Sequence, residues 1–355
     1  MGLSCRLHIR NIEHSGYAKE KSQKNTNRVK MGCFSRMAQY NEEGQTFKSF
    51  LSTCPWLSTK KKHLIKEDFH PEGNCIKDRY PEGKIYILPL GDFDRMSPDI
   101  HVLARYAQLF YDLPVVVLPK VDLKIPEEKD GPVMWCESAS EPSDGEDKPR
   151  SKRRKSSRIA SNMHILDHRW NTGRIQLKVD GILKLLSRHR PPNTLCLIAL
   201  TMSDLYEEEP DLFVAGMASG NKGVAVFSFA RYDPVITFST EFWYEIEKTF
   251  NFKEEERTSL MLQRSCKLLV HEIAHLFGID HCIWYACCMN GSGHLGEDFS
   301  QPIHLCPVDL HKVQKLCGFD VVLRYKGVSA HIPFLSKQTA NNVLFLQLVL
   351  YESPI

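Results

Sequence analysis

The pattern of apolar and polar positions predicts strands that alternate with helices from residue 84 onwards. Runs of apolar and β-branched residues, each short enough for a buried strand, occur at 84–90, 115–118, 194–200 and 223–229. Apolar residues at helical spacing predict helices at 97–111 (with Ser97 as cap and Pro98 first), 175–188, 239–250 and 254–277. The strand, helix and strand over 84–118 indicate a parallel βαβ unit.

The remaining segments are polar or weakly periodic, and they define the predicted domain limits. Residues 1–80 are interpreted as an N-terminal extension, partly disordered, and 81–325 as the folded domain. Within that domain, 124–162 is rich in Glu, Lys, Pro and Ser, which predicts a disordered insertion. Residues 204–214 are predicted to be an acidic loop. Beyond 325 the periodicity weakens, so 326–355 is predicted to be a C-terminal tail.

The motif HExxHxxGxxH ends the last predicted helix and is the most specific signal in the chain. His271 and His275 are four residues apart, so a helix presents both rings on one face, within reach of one metal ion. Glu272 projects beside that face, where a carboxylate can act as general base without being a ligand. Gly278 permits a sharp turn that brings His281 back as a third ligand. Three protein ligands leave the open position that a catalytic zinc needs.

Cysteines follow the motif closely. Cys282 comes directly after the third histidine, Cys287 and Met289 follow within the next seven residues, and Cys306 comes after a loop. The chain has 12 cysteines. Without export they stay reduced, and their clustering between residues 282 and 317 favours metal over disulfides.

This run, with the strands at 85–91 and 223–232, resembles the archaemetzincins over roughly residues 84–325. The resemblance implies an α+β (α/β-like) fold. It would be a metzincin-type zinc peptidase domain with a mixed twisted sheet, an active-site helix and a smaller C-terminal subdomain. The resemblance also implies that Met289 forms an apolar floor under the imidazoles. It points to 224–229 as a strand that borders the cleft and pairs with substrate.

In that family the cysteines bind a second, structural zinc, and here the pattern departs from the family's final CxxC. Cys282, Cys287 and Cys306 match, but Asp309 stands where a fourth cysteine is expected. A carboxylate can bind zinc, although structural sites are usually built from cysteine and histidine. Other candidates for the fourth ligand are Cys288, His304, His311 and Cys317. The alternative is that the thiols are ordinary reduced cysteines and that the chain holds one zinc.

Composition and charge narrow the class of protein. A hydrophobic content of 42%, a charged content of 25% and a net charge of +3 are typical of a globular chain without a nucleic-acid or membrane partner. We expect a monomer. The first residues lack the apolar region of a signal peptide, and the apolar tract 343–350 is too short to span a bilayer. An intracellular location, cytoplasmic or nuclear, is therefore expected. The basic run 148–155 is either a nuclear-localisation signal or a solvated charge run.

These features together predict a zinc-dependent metallopeptidase that acts on peptides or proteins, with an aminopeptidase-like preference implied by the resemblance alone. The runner-up is a zinc-binding scaffold that has kept the ligands and lost turnover. Because such a scaffold has no need for Glu272, that carboxylate favours catalysis.

Overall fold

The structure is a computed structural model of the chain. It describes residues 6–10, 42–58, 69–126, 131–137, 163–171, 173–238, 245–247, 252–293 and 295–331. The strands are β1 (Arg6–Arg10), β2 (Lys84–Leu90), β3 (Val115–Val117), β4 (Asp122–Lys124), β5 (Val133–Cys136), β6 (Met163–Leu166), β7 (His168–Asn171), β8 (Arg174–Lys178), β9 (Thr194–Thr201), β10 (Asp204–Tyr206), β11 (Asp211–Ser219), β12 (Val224–Ser228), β13 (Ile236–Phe238) and β14 (Glu245–Glu247). The helices are α1 (Phe47–Thr53), α2 (Ile76–Arg79), α3 (Ile100–Tyr111), α4 (Val179–Arg188), α5 (Glu254–Leu276), α6 (Leu295–Ser300), α7 (Pro307–Cys317) and α8 (Val321–His331), with a 3-10 turn at Pro55–Leu57.

Nine of the described strands form one mixed sheet. Its order is β3-β2-β9-β12-β11-β10-β8-β7, and β1 pairs with β11. β2 is parallel to both β3 and β9, which confirms the predicted βαβ unit. β11 is antiparallel to β10 and β12. The predicted mixed sheet and long helix are therefore present.

The sheet separates two hydrophobic cores. On β2, Ile85 and Ile87 belong to one core, whereas Tyr86 and Leu88 belong to the other, because successive side chains of a strand point to opposite faces. The first core contains the buried faces of α3, α5, α7 and α8. The second is formed by α4 and by a small sheet of β4, β5 and β6. The motif helix thus packs on the first face.

The strand predicted to border the cleft lies elsewhere in the sheet. β12 pairs in parallel with β9 on one side and antiparallel with β11 on the other. All five of its residues are buried. Since both edges of β12 are already hydrogen-bonded, the expectation that 224–229 pairs with substrate is wrong.

Two predicted helix boundaries were also wrong. α3 begins at Ile100 and is capped by Asp99, whose Oδ1 accepts from the backbone of His101 at 2.7 Å. Ser97 instead donates its hydroxyl to Asp94 at 2.7 Å. The helix predicted from residue 175 begins at Val179, because 174–178 pairs with β7 and β10 as a strand.

The predicted acidic loop at 204–214 contains β10 and the start of β11. Its Asp204 is buried and accepts from the Arg231 guanidinium, with Oδ2 2.7 Å from Nη2. That pairing offsets part of the cost of burying the charge, so acidity did not exclude a strand here. At 239–250 a helix was predicted, but 245–247 is strand β14, paired with β13. The other residues of that stretch lie outside the described part of the chain.

The predicted insertion 124–162 is ordered in part. β5 lies within it, and Val133 and Trp135 of that strand are buried in the second core. The prediction failed here because the stretch is polar on average, although it contains these two apolar side chains. Residues 127–130 and 138–162, including the basic run, lie outside the described residues.

Both ends of the predicted domain also have described structure beyond the expected limits. Phe50 and Trp56, from the predicted extension, are buried in the first core, and the Trp56 indole donates to the Leu276 carbonyl at 3.3 Å. α8 continues past residue 325 to His331. The domain limits themselves stay a prediction. Every helix within the described ranges is too short or too polar to cross a bilayer.

We expect Gly216→Ala to destabilise the fold by about 1–3 kcal/mol, because overpacking forces neighbours out of place. A Cβ there would lie 2.0 Å from Phe227 Cδ1 and 2.5 Å from the Val226 carbonyl oxygen. Gly181→Ala is the matched control, since its Cβ would meet only Leu166 Cδ2, at 3.5 Å. That helix substitution should be neutral or stabilise by up to about 1 kcal/mol. Urea unfolding midpoints measure both, and equal midpoints would contradict the close contact at Gly216.

Candidate metal centre

The helix that carries the first two histidines is stabilised at both ends. Three glutamates at 254–256 lie in the first turn of α5, where negative charge complements the helix dipole. At the other end, Gly278 has a φ of +86°, a conformation that favours glycine. A Cβ on Gly278 would also lie 3.0 Å from Pro55 Cδ. The sharp turn predicted after the helix is therefore present and is closely packed.

The three histidines of the motif come together at this turn. His271, His275 and His281 each offer a ring nitrogen, and these atoms all lie within 4.8 Å of one another. Nε2 of His271 is 2.9 Å from Nε2 of His275. The three ring centroids are separated by 4.6 to 5.5 Å. Such a spacing allows all three rings to reach one ion.

Backbone carbonyls fix the orientation and tautomer of the first two rings. His271 Nδ1 is 2.7 Å from the Cys288 carbonyl oxygen, and His275 Nδ1 is 2.7 Å from that of Ile279. A carbonyl oxygen only accepts, so each Nδ1 carries the hydrogen and donates it. The Nε2 lone pair of each neutral ring is then directed away from the loop, toward the other histidine.

The third ring is held by a residue that sequence reasoning missed. His281 Nδ1 lies 3.1 Å from Oε1 of Glu42, in the region interpreted as an N-terminal extension. Nearby, the buried Gln45 donates from Nε2 to the Gly278 carbonyl at 3.0 Å and accepts at Oε1 from the Asp280 backbone at 3.2 Å. No local pattern marks these residues, because they lie more than 230 positions from the motif.

Glu272 lies on α5, one residue after the first histidine, and its side chain is buried at 5% exposure. A carboxylate in this position is shielded from bulk water and close to the histidine face of the helix. Its role as general base stays a prediction.

The cysteines form a second group beside the histidines. Cys282, Cys287, Cys306 and Asp309 are all buried, and one ligand atom of each lies within 4.8 Å of the others. Cys282 Sγ is 3.8 Å from Cys306 Sγ. Asp309 Oδ2 is 3.2 Å from Cys287 Sγ and 3.4 Å from Cys306 Sγ. Among the described residues Asp309 thus occupies the fourth corner, and the other candidates for it are not part of the group.

Lys312 is the second residue that sequence reasoning missed. Its ammonium lies 2.8 Å from Oδ1 of Asp309, and the two side chains are 0% and 1% exposed. Burial raises the pKa of the Asp309 carboxyl, and the hydrogen bond and charge of Lys312 oppose that rise. The i, i+3 spacing on a helix was a usable signal, because it places both side chains on one face.

Hydrogen bonds among the three thiols shift their pKa values in opposite directions. The pKa of the Cys282 thiol is lowered because Cys287 and Cys306 donate to its sulfur. Those same bonds and burial raise the pKa of Cys287 and of Cys306. Cys282 is therefore the most acidic of the three thiols in this buried group.

The backbone of Met289 makes two hydrogen bonds to the cysteine group. It is buried, its carbonyl accepts from the Cys282 N–H at 2.7 Å, and its own N–H donates to the Cys287 sulfur at 3.4 Å. The loop between the third histidine and Met289 is therefore closed on itself. That Met289 forms a floor under the imidazoles stays a prediction.

Comparison with known proteins finds similarity over the same region. Residues 239–315 match the sequence model of peptidase family M54. Archaemetzincin-2 from Homo sapiens is 41% identical over 180 residues, which cover 48% of this chain and 50% of that protein. Archaemetzincin-1 from Homo sapiens is 33% identical over 168 residues, covering 44% of this chain and 34% of that protein. The chain thus spans about half the length of the archaemetzincin-2 sequences it matches.

Two solved structures are also similar. Archaemetzincin from Archaeoglobus fulgidus, crystallised with malonate, aligns with 21% identity and a TM-score of 0.37, covering 66% of this chain and 99% of that chain. Archaemetzincin from Methanopyrus kandleri aligns with 21% identity and a TM-score of 0.38, covering 65% and 94%. The sequence matches confirm the predicted resemblance: over about half of its length the chain is similar to archaemetzincins, and its residues 239–315 match the model of peptidase family M54.

Proposed function

We propose that this chain is a zinc-dependent metallopeptidase that hydrolyses peptide bonds. One observation carries the proposal: three imidazoles whose ring nitrogens lie within 4.8 Å of one another, beside a buried carboxylate on the same helix. The match of residues 239–315 to the sequence model of peptidase family M54 supports it. Because the matched relatives are covered over only half their length, the activity is carried over as a proposal.

The donor set fits zinc. Hydrogen bonds to backbone carbonyls place the proton of neutral His271 and His275 on Nδ1, so Nε2 is the nitrogen that each ring offers to a metal. Glu42 lies against Nδ1 of His281 in the carboxylate–histidine pairing that is common around zinc. The three histidines would hold the catalytic ion, and Cys282, Cys287, Cys306 and Asp309 would hold a second, structural one.

When bound at three imidazoles, zinc supplies Lewis acidity and makes water a stronger nucleophile near neutral pH. Glu272 would accept a proton from the attacking water at its carboxylate and deliver it to the departing amine. Its burial keeps bulk water away and favours proton transfer within the site. An aminopeptidase-like preference for short peptides rests on the resemblance alone and is proposed with it.

The wider setting stays a proposal as well. We also propose a monomer, a cytoplasmic or nuclear location and, from the small net charge of +3, the lack of a nucleic-acid partner. The basic run that would act as a nuclear signal lies outside the described residues. The alternative function, a zinc-binding scaffold without turnover, is an outcome of the first experiment below.

Glu272→Gln should lower peptide hydrolysis by about 10²–10⁴-fold while zinc stays bound, because the carboxylate transfers protons and is not a ligand. Glu255→Gln, in the exposed first turn of the same helix, is the control and should cleave like the parent. Peptide-library cleavage and metal analysis measure the two effects, and 1,10-phenanthroline should abolish parental activity. Equal cleavage by the Glu272 variant and the parent would refute the general-base assignment. A zinc-loaded parent that cleaves no peptide would favour the scaffold.

Glu42→Ala should weaken zinc binding at the histidines by about 10–100-fold, because it removes the acceptor that orients His281. Glu43→Ala is the matched control, since that neighbour is exposed. Competition with a chromogenic chelator measures the affinity of both variants. If the two variants bind zinc equally well, Glu42 does not support the site.

Asp309→Ala should cost about 3–5 kcal/mol of unfolding free energy even in chelator, because it leaves the Lys312 ammonium buried without its carboxylate. Cys306→Ser should instead lower the zinc content by one and reduce the melting temperature mainly when zinc is present. Cys136→Ser, at the half-buried end of β5, is the control. If Cys306→Ser changes neither zinc content nor melting, the cysteine group does not bind zinc.

A further inference from the structure

A third group of metal-binding side chains lies in the second core's small sheet, away from the histidine motif. Glu137 directly follows β5, His164 lies on β6, and His189 caps the C-terminal end of α4. His189 Nε2 is 3.3 Å from Glu137 Oε1, and His164 Nε2 is 3.9 Å from the same oxygen. One ligand atom of each residue lies within 4.8 Å of the others.

These spacings approach those of a coordinated ion. Bonds of about 2.0–2.2 Å to nitrogen and oxygen place the ligand atoms of a tetrahedral ion about 3.3–3.6 Å apart. The His189 to Glu137 separation already has that value, and a small inward movement of His164 would complete the set. The half-buried position leaves access for an ion from solution.

The surroundings orient two of the three ligands. His189 Nδ1 donates to the Leu185 carbonyl at 2.8 Å, which leaves Nε2 directed at Glu137. The indole of the buried Trp135 donates to Glu137 Oε1 at 3.3 Å. A backbone acceptor behind the histidine and a donor behind the carboxylate are the partners that metal-binding side chains usually have.

The position in the chain indicates what the group would do. β5 and β6 are paired up to Cys136 and Met163, and residues 138–162 connect them beyond that point. A metal that binds Glu137 and His164 would join the described residues on either side of this stretch, and His189 would link them to the end of α4. Because such an ion binds the folded chain and is released on unfolding, its binding stabilises the folded state.

We propose that Glu137, His164 and His189 form a site for a divalent transition-metal ion, with zinc the expected occupant. Two imidazoles and a carboxylate suit zinc, nickel and copper better than calcium or magnesium. The site shares no ligand with the proposed peptidase centre, so either can fail without the other. Its occupancy would fix the base of the segment that carries the basic run.

The test uses the full chain, loaded with zinc and dialysed so that tighter sites are filled, and then titrated with more zinc by calorimetry. The parent should bind a further equivalent and melt at a higher temperature. Glu137→Gln keeps the shape of the side chain and should weaken this step at least tenfold. His164→Ala should do the same.

His101→Ala, which removes an exposed histidine on α3, is the control and should titrate like the parent. A parent that takes up no further zinc would mean that the three residues form an ordinary ion pair, and it would overturn the proposal. The proposal would also be overturned if His101→Ala lost the further equivalent of zinc. It would be overturned as well if both Glu137→Gln and His164→Ala kept that equivalent, because the zinc would then bind at other surface groups.

Discussion

The candidate metal centre depends on the hydrogen bonds made behind its histidines. The rings of His271 and His275 donate to carbonyls of the loop that follows the helix, at 2.7 Å each. Four residues of spacing on a helix bring two rings to one face, but the tautomer is decided by these acceptors. His281 lies beyond the helix, and its ring is oriented instead by the carboxylate of Glu42. The site is thus built by three segments, of which the motif is one.

The same loop ties the histidine group to the cysteine group. Cys282 follows the third histidine in the chain, and the carbonyl that accepts from His271 belongs to Cys288, next to Cys287. Any shift in the cysteine group therefore reaches the first histidine through one peptide unit. A metal among the thiols would stiffen the loop, and this is a physical reason for the two groups to occur together.

Sequence reasoning succeeded where the signal was local. The strands at 84–90 and 194–200 and the long helix were recognised from their apolar pattern, and the histidine motif from its spacing. It failed where a distant partner decided the outcome. Asp204 looked like a loop residue because its partner, Arg231, lies 27 positions away. The position of β12 between two other strands depends on the whole sheet, and no run of residues encodes it alone.

The aspartate at the fourth corner of the cysteine group becomes intelligible through its neighbour. A thiolate at residue 309 would be paired with metal alone, whereas Asp309 also forms an ion pair with the buried Lys312 ammonium at 2.8 Å. The carboxylate has two oxygens, so Oδ1 can face the Lys312 ammonium while Oδ2 faces the sulfurs. Lys312 then offsets one negative charge in a buried group that would otherwise need the metal to neutralise all of it. Asp309 and Lys312 therefore act as a pair, and replacing either residue alone would leave the charge of the other buried without its partner.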